Sequence, residues 1–448
     1  MSSVHLKAPQ FKYAPFSRKQ LQVLSWWLDP RAKQFGNLSE VKKKHPEWLN
    51  RSDKEVLIAD GSIRAGKTLI MSMSYIEWSM TNYSNEQFGI AGKTIGSLRR
   101  NVITPLKRML AGRKGYRVKD RRADNLLDIT YNGVTNHYYL FGGKDEGSQD
   151  LVQGLTVAGF FFDEVALMPK SFVNQAAGRV SVDGGKLWFN CNPAGPYHWF
   201  KTEWLDKLKK HKAIHIHFTM DDNPSLAESV KDRNRRTFSG VFYQRYILGE
   251  WVLSDGIVYD NFNKDTMVAT PPKGVAEKYY VSVDYGTQNP TVFLLWGRFD
   301  GVWWCLKEYY YDGRHSSRQK TDEQYANDFL EFVGKLKVKA IVDPSAASFI
   351  AQLRAKGVSV EKAKNDVLDG IRETQSAMNL GKIMFAPGLV NLFKELASYA
   401  WDPKAAEHGE DKVIKQHDHA CDAVRYFVYR VIRTGGVVKP KVKPKAFR

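Results

Sequence analysis

Short apolar runs alternate with amphipathic stretches along the first half of the chain. The run Val56–Ala59 predicts a buried strand, and the stretch 69–80, which lacks Gly and Pro, predicts a helix directly after it. Further apolar runs predict strands at 88–92, 158–162 and 186–189. Strands that alternate with helices form a mostly parallel sheet covered on both faces. This half is therefore predicted to be an α/β domain with a parallel-rich sheet.

The second half has a different order of elements. The hairpin signal Asp300-Gly301 separates two predicted strands, as Asn132-Gly133 does in the first half. A hairpin pairs its strands antiparallel, so the second sheet is expected to be mixed. The elements expected in order are strands at 279–283, 291–299 and 302–310, a helix at 322–335, a strand at 339–342 and a helix at 417–426.

Length and charge support two domains and an acidic partner. The chain has 448 residues and a formal net charge of +19. We expect a first domain over 1–220, a helical linker over 221–255, a second domain over 256–433 and a basic disordered tail over 434–448. The charge favours nucleic acid as the partner. The tail either contacts DNA, docks on a protein or only adds solubility.

Export and membrane insertion are not expected. The cysteines, Cys191, Cys305 and Cys421, show neither metal spacing nor an even disulfide framework. No apolar run reaches the roughly 18 residues of a membrane span, and residues 1–15 lack the apolar segment of a signal peptide. A reducing cytoplasm fits this pattern best.

The first candidate site is a glycine loop between the first predicted strand and helix. Its sequence matches G-x-x-x-x-G-K-T, in which backbone N–H groups approach phosphates. The lysine neutralises phosphate oxygens, and the threonine hydroxyl can bind Mg²⁺. The residues predicted to bind the nucleotide are Gly61, Ser62, Ile63, Arg64, Ala65, Gly66, Lys67 and Thr68.

Polar side chains follow two other predicted strands of the first domain. Asp163 and Glu164 end the apolar run 158–162, so Asp163 is expected to join the Mg²⁺ shell and Glu164 to orient or deprotonate water. Asn190 and Asn192 follow the next strand and either sense the γ-phosphate or form an Asn-Pro turn. ATP and Mg²⁺ are therefore the expected ligands.

Two surface features leave alternatives open. Gln20 or Gln22 on the amphipathic segment 19–28 either contacts adenine or belongs to a helix that only packs. The basic run in 97–110 either contacts DNA or forms a solvated face.

Acids at strand ends and on the last helix form the second candidate site. Asp284 and Asp343 end predicted strands, and Asp418, His419 and Asp422 lie together near the C-terminal helix. The element order is that of a ribonuclease-H-like nuclease. Two Mg²⁺ or Mn²⁺ ions, about 3.5–4 Å apart, use such carboxylates to cleave a phosphodiester. Asp284, Asp343 and Asp422 are therefore candidate catalytic residues, and the whole group are candidate metal ligands.

Together these motifs resemble the large subunit of tailed-bacteriophage terminases. The loop 61–68 is similar to the family's Walker A motif, 160–164 to its Walker B motif with the catalytic glutamate, and 190–193 to its coupling motif. The stretch 222–251 resembles the family's linker subdomain, and Asp284, Asp343 and Asp422 fall at its three nuclease acids. The resemblance implies an N-terminal P-loop ATPase domain of the RecA-like (ASCE) class and a C-terminal ribonuclease-H-like nuclease domain.

The resemblance also implies partners and a place of action. The expected partners are double-stranded DNA, a portal protein, a small terminase subunit and further copies in a ring on the prohead. The chain could be a monomer in solution. It would act in the cytoplasm of the infected host and transiently at the portal vertex, driving DNA into the prohead and cutting the concatemer. Arg64 matches a basic position often seen in terminases, which implies a role in sensing or stabilising the charge of the γ-phosphate. A helicase-nuclease of recombination or repair, and a non-catalytic DNA-binding scaffold, are the alternatives.

Overall fold

The described residues divide into two compact units. The computed structural model describes residues 15–28, 53–286, 289–313 and 319–433. Of these, the first unit contains the residues up to Asp232 with Gln244–Leu253 and His408–Glu410, and the second contains the rest. The predicted linker is thus divided between the units, and the domain boundaries at 220 and 255 stay predictions. The predicted tail 434–448 and the region 29–52 lie outside the described residues.

The first unit is built on an eight-stranded sheet of order β3-β4-β5-β2-β6-β7-β1-β8. In this order, the neighbouring strands in β5-β2-β6-β7-β1-β8 are all parallel, and β3-β4-β5 is an antiparallel meander. The strands are β1 (Val56–Gly61), β2 (Gln87–Gly92), β3 (Tyr116–Arg121), β4 (Leu126–Tyr131), β5 (Val134–Gly142), β6 (Gly159–Asp163), β7 (Lys186–Asn190) and β8 (Ala213–Phe218).

Among the described residues up to 243, of which 233–243 belong to the second unit, eight α-helices precede, separate or follow these strands, some with adjoining turns. The α-helices are α1 (Arg18–Ser25), α2 (Lys67–Asn82), α3 (Ile95–Leu98), α4 (Thr104–Ala111), α5 (Lys170–Ala177), α6 (Trp199–Glu203), α7 (Glu228–Thr237) and α8 (Gly240–Tyr243). The 3₁₀ turns are Glu146–Val152, Val165–Leu167, Leu205–Lys207 and Met220–Asp222, and the π turns are Arg99–Ile103 and Gln244–Leu248.

The sheet's central strands are buried because helices cover both faces. All six residues of β1 and all five of β6 are buried. Helix α2 packs on one face, where the Tyr75 hydroxyl donates to the carbonyls of Gly89 and Gly159 at 3.0 and 2.8 Å. Burial of this apolar surface is the main favourable term for folding. It also holds the carboxyl ends of β1, β6 and β7 in fixed positions at one edge of the sheet.

The second unit contains a six-stranded mixed sheet of order β13-β12-β9-β10-β11-β14. Strand β10 runs antiparallel to both of its neighbours, β9 and β11, whereas β12 pairs parallel with β9 and β14 pairs parallel with β11. The strands are β9 (Tyr279–Asp284), β10 (Thr291–Phe299), β11 (Val302–Tyr311), β12 (Val338–Val342), β13 (Ser359–Lys362) and β14 (Ile383–Phe385).

Helices also pack on this second sheet. The Trp296 ring of β10 stacks on Phe427 of the last helix with 4.1 Å between ring centres, which places that helix over the sheet. The α-helices are α9 (Lys264–Met267), α10 (Asp322–Val333), α11 (Ala347–Ala355), α12 (Val367–Asn379), α13 (Val390–Ser398), α14 (Pro403–Glu407) and α15 (His419–Phe427), and a π turn spans Val428–Ile432.

The fold class expected from the sequence is confirmed, with a parallel-rich sheet in the first unit and a mixed sheet in the second. Both hairpins predicted from Asn-Gly and Asp-Gly are present as β4-β5 and β10-β11. Across the part of the chain that the structure describes, no helix has the length and apolar character needed to cross a membrane.

The turn that follows β1 requires glycine at position 61. Gly61 has φ of +119°, and a Cβ atom there would lie 1.9 Å from the Phe218 carbonyl oxygen. Backbone strain alone costs about 1–3 kcal/mol. We expect Gly61→Ala to lower the free energy of unfolding by more than this, because a steric clash adds to the strain. Denaturant unfolding would measure this loss.

Gly133 provides the matched control for this prediction. It also has a positive φ, of +88°, but nothing lies within 4 Å of a Cβ atom at that position. Gly133→Ala should therefore show only the backbone strain, about 1–2 kcal/mol. Equal losses in the two variants would mean that the close approach of β8 to the turn does not matter.

Candidate functional site

The glycine loop surrounds the buried ammonium group of Lys67. Its Nζ donates to the carbonyls of Gly61 and Ser62 at 2.9 and 2.6 Å and to Oδ1 of Asn192 at 3.1 Å. All three acceptors are uncharged, and among the described residues Lys67 forms no ion pair within 4 Å. Burial lowers its pKa to about 8, although nearby acids such as Asp60 oppose the shift. A positive charge is thus held inside the loop without a contacting counterion.

A polar network lies next to this lysine. The Thr68 hydroxyl donates to Oδ1 of Asp163 at 2.8 Å, and the Asn190 amide donates to Thr68 Oγ1 at 2.8 Å and also to Asp163. Among the described residues, the buried Ser62 hydroxyl and Asn190 carbonyl oxygen have no hydrogen-bond partner. The structure therefore brings together Lys67, Thr68, Asp163, Asn190 and Asn192 from three strand ends.

The two acids at the carboxyl end of β6, Asp163 and Glu164, differ in their surroundings. Burial and the neighbouring Glu164 carboxylate raise the pKa of Asp163 to about 7, although hydrogen bonds from Thr68 and Asn190 oppose the rise. Glu164 is only partly buried and has φ of +61°, a left-handed conformation that is unusual for glutamate. Strained backbone of this kind is often found at functional sites. The pKa of Asp163 would return toward its usual value beside a cation.

Gln20 and Asn223 lie close to the loop. A Cβ atom on Gly66 would be 3.1 Å from Nε2 of Gln20, and the Asn223 amide donates to the Arg64 carbonyl at 2.7 Å. Gln20 also caps α1, since its Oε1 accepts from the Ser17 N–H at 3.0 Å. Gln20 therefore lies beside the loop, and an adenine contact by Gln20 or Gln22 stays a prediction. Arg64 has φ of +58°. The sequence alone did not indicate that Asn223 contacts the glycine loop.

In the second unit, Asp284 and Asp343 lie at the carboxyl ends of neighbouring strands. Val283 of β9 pairs with Val342 of β12, so the acids that follow them emerge at the same sheet edge. Nδ1 of His419 lies 2.8 Å from Asp284 Oδ2. Burial raises the pKa of Asp284 to about 6, and the His419 contact limits this rise. Burial acts in the opposite direction on His419, but the Asp284 carboxylate outweighs it and raises the pKa of the imidazole.

Asp343 accepts three hydrogen bonds at this edge. They come from the Ser345 N–H at 2.7 Å, the Asn365 amide at 2.8 Å and the Tyr426 hydroxyl at 2.7 Å. Burial opposes ionisation of Asp343, but the hydrogen bonds outweigh it and lower the pKa. Tyr426 lies on α15, so this contact joins the strand end to the last helix.

Asp422 and Asp418 are paired with cations. Nη2 of the buried Arg425 lies 2.9 Å from Asp422 Oδ1, and Lys415 Nζ lies 3.1 Å from Asp418 Oδ2 and 3.5 Å from Asp422 Oδ2. Helix α15 begins at His419, so Asp418 is its N-cap. Glu395 binds the same helix end by accepting from the Cys421 N–H at 3.2 Å and from the Ala420 N–H.

These acids share one edge but do not form a tight cluster. Across the described ranges, only one group of three ligating side chains brings its ligand atoms within 4.8 Å of one another, and that group lies in the first unit. Asp284, Asp343 and Asp422 are instead held by His419, by Tyr426 and by Arg425. The sequence missed these partners, apart from His419, because nothing in their spacing distinguishes them from packing residues.

Comparison with known proteins decides the family. The chain is 59% identical to the large terminase of a thermophilic bacteriophage, whose crystal structure it matches with a TM-score of 0.85 over 93% of this chain and 99% of that chain. The chain belongs to the terminase large subunit family. The resemblance inferred from the sequence motifs is therefore confirmed.

Other comparisons agree with this membership. A family model described as terminase large subunit, T4likevirus-type, N-terminal, matches residues 58–265 of this chain. The large terminase subunit of Escherichia phage T5 is 27% identical over 319 residues, which cover 66% of this chain and 70% of that protein. The large terminase of the thermophilic bacteriophage has also been solved with ADP and with ATP-γ-S, each with a TM-score of 0.82 to this chain.

Two side chains of the basic run in 97–110 form ion pairs within the first unit. Arg99 and Lys107 contact the two oxygens of Asp120 at 2.9 and 3.0 Å. Asp120 lies on β3, a strand whose alternation of charged residues gave no strand prediction. These two side chains therefore stabilise the packing of the helical segment on the meander. A DNA contact by the run stays a prediction.

Proposed function

We propose that the first unit hydrolyses ATP. The observation that carries this proposal is the buried Lys67 ammonium, held by uncharged oxygens beside Thr68, Asp163 and Asn190. Phosphate oxygens would replace Asn192 and the loop carbonyls as partners of the ammonium group. The thermophilic-bacteriophage relative has been solved with ADP and with ATP-γ-S, which supports nucleotide binding by this chain.

The donor set next to Lys67 fits Mg²⁺. The Thr68 hydroxyl and the Asp163 carboxylate are hard oxygen ligands, and the Ser62 hydroxyl and Asn190 carbonyl oxygen, which have no hydrogen-bond partner within the described ranges, add two further oxygens to the site. When bound, Mg²⁺ would neutralise charge that develops on the phosphates. Glu164 would hold the attacking water and accept its proton, and Asn190 would keep Thr68 and Asp163 in position.

Lys67→Ala tests nucleotide binding directly. Loss of a charge-assisted hydrogen bond costs about 1.5–3 kcal/mol, so we expect roughly 10- to 150-fold weaker binding of a fluorescent ATP analogue in Mg²⁺. The exposed Lys209 of the same unit gives the matched control, because Lys209→Ala removes the same charge away from the loop. Equal affinities of Lys67→Ala and Lys209→Ala would contradict a phosphate-binding role for the loop.

We propose that the second unit cuts double-stranded DNA with metal ions. The carboxylates of Asp284, Asp343, Asp422 and Asp418 supply only hard oxygen atoms, which fits two Mg²⁺ or Mn²⁺ ions. When bound, the ions would stabilise the attacking and leaving oxygens of the phosphodiester. His419 would orient Asp284 through the contact of its Nδ1 with Asp284 Oδ2. Arg425 would hold Asp422 in place.

The two activities together support DNA packaging as the function. We infer that ATP hydrolysis drives double-stranded DNA into a prohead and that the nuclease cuts the concatemer at the start and end of packaging. Membership of the terminase large subunit family supports this choice over a repair helicase-nuclease or a non-catalytic scaffold. The partners would be a portal protein, a small terminase subunit and further copies of this chain in a ring, inside the infected host's cytoplasm.

A further inference from the structure

A second cluster of polar side chains lies at the end of β1, and none of the proposed ATPase steps uses it. Asp60 is 1% exposed, and its Oδ1 atom lies 2.7 Å from His215 Nε2 and 2.9 Å from His217 Nδ1. Their ligand atoms all lie within 4.8 Å of one another. No other three His, Cys, Asp or Glu side chains within the described ranges meet that condition.

Strand pairing itself creates this arrangement. His215 and His217 are two residues apart on the edge strand β8, so both imidazoles lie on one face while Ile214, Ile216 and Phe218 belong to the core on the other. Asp60 is the register partner of His217 in the parallel pair β1-β8. All three polar side chains therefore belong to ordered strands of the same unit.

Neighbouring groups orient the cluster. The Trp251 indole N–H donates to the other oxygen of Asp60 at 2.7 Å, which leaves Oδ1 for the two imidazoles. A Cβ atom on Gly249 would lie 2.8 Å from His217 Cε1, so only glycine lets the backbone pack against that ring. Hydrogen bonds that fix a ligand in this way are a usual feature of metal sites.

We propose that Asp60, His215 and His217 form a binding site for a transition metal ion, most simply Zn²⁺. Two imidazole nitrogens and one carboxylate oxygen are a donor set that suits Zn²⁺, whereas Mg²⁺ prefers oxygen ligands only. The ion would take the place of the protons that the imidazoles share with Asp60 Oδ1. His215 would bind through Nε2 and His217 through Nδ1, each with its remaining proton on the other ring nitrogen.

The site is accessible and already charged. The imidazoles of His215 and His217 are 32% and 40% exposed, so an ion has a path from solvent and water can complete a tetrahedral shell. Burial opposes ionisation of Asp60, but the hydrogen bonds from the two imidazoles and Trp251 lower its pKa. A bound ion would join the strand that carries the glycine loop to the edge strand, and would stabilise the first unit by mass action.

Zinc titration of the full chain tests this site. Chelator-treated protein in a buffer saturated with Mg²⁺ would be titrated with ZnCl₂ by calorimetry, so that Mg²⁺ competes at the carboxylate sites. We expect about one Zn²⁺ per chain. The double variant His215→Gln with His217→Gln should lose this binding. His137→Gln is the matched control, because His137 also contacts an aspartate, Asp128 at 2.7 Å, but forms no group of three with a second imidazole.

X-ray absorption of the zinc-loaded unmodified protein gives a test that does not depend on the folding of a variant. It should show two imidazole nitrogens at about 2.0–2.1 Å from the ion. Trp251→Phe should weaken zinc binding by roughly 10- to 100-fold, because Asp60 loses its orienting partner. The proposal would be overturned by absence of zinc binding, by binding that persists in the double variant, or by an all-oxygen shell around the ion.

Discussion

Glu164→Ala is expected to reduce ATP hydrolysis by about 10²–10⁴-fold and to leave DNA cleavage unchanged. A positioned general base contributes a factor of this size to a reaction rate. Glu164 follows directly on the buried strand β6 and is partly buried beside Asp163. Steady-state phosphate release in Mg²⁺ would measure the loss. Binding of a fluorescent ATP analogue should stay within a few fold, because Glu164 acts on water and not on the phosphates.

Glu55→Ala is the matched control for this variant. Glu55 directly precedes β1, at the end of the strand that is far from the glycine loop. It is exposed and forms an ion pair with the exposed Lys212. Such pairs contribute about 0–1 kcal/mol, so neither folding nor hydrolysis should change. If Glu164→Ala hydrolysed ATP at the unmodified rate, the base would have to be another residue. Loss of both activities in a folded protein would contradict separate sites.

Asp284→Ala is expected to abolish metal-dependent cutting of supercoiled plasmid while ATP hydrolysis continues. Metal ions stabilise a phosphodiester transition state by several kcal/mol, so loss of a ligand should slow cutting by at least about 10³-fold. Asp284 ends β9 beside β12 and binds His419, which would lose its partner in the variant. Cutting would be measured with Mg²⁺, Mn²⁺ or EDTA, and EDTA should stop it in every protein.

Asp300→Asn is the control for the second unit. Asp300 lies in the β10-β11 turn with φ of +47°, a conformation that asparagine tolerates. The variant removes an acid from the same sheet without touching the proposed metal ligands. Unchanged cutting by Asp284→Ala, with the same metal requirement, would show that another group of acids carries the reaction.

The sequence predicted the parts of the sites that depend on local spacing. The glycine loop needs a strand before it and a helix after it, and these features are contiguous from Val56 to Met80. Acids at strand ends were also predictable, because the apolar runs before Asp163, Asp284 and Asp343 are short and buried. Parallel strands then bring these ends to one edge without any further information.

Contacts that depend on register between distant strands could not be predicted. Asp60 and His217 pair only because β8, a strand with alternating Ile and His, adds to the edge of β1. The His-x-His spacing of 215–217 is nevertheless a usable signal for such a site. Likewise, Tyr426 contacts Asp343 through the packing of α15 over the sheet, and a single tyrosine on an apolar helix face carries no mark of that role.

The most direct test of two separate sites on one chain is a parallel assay of ATP hydrolysis and plasmid cutting. The unmodified protein, Glu164→Ala and Asp284→Ala would be prepared together and checked for folding by thermal unfolding. We predict that Glu164→Ala loses hydrolysis alone and that Asp284→Ala loses cutting alone. Loss of both activities in either folded variant, or of neither in both, would contradict the account.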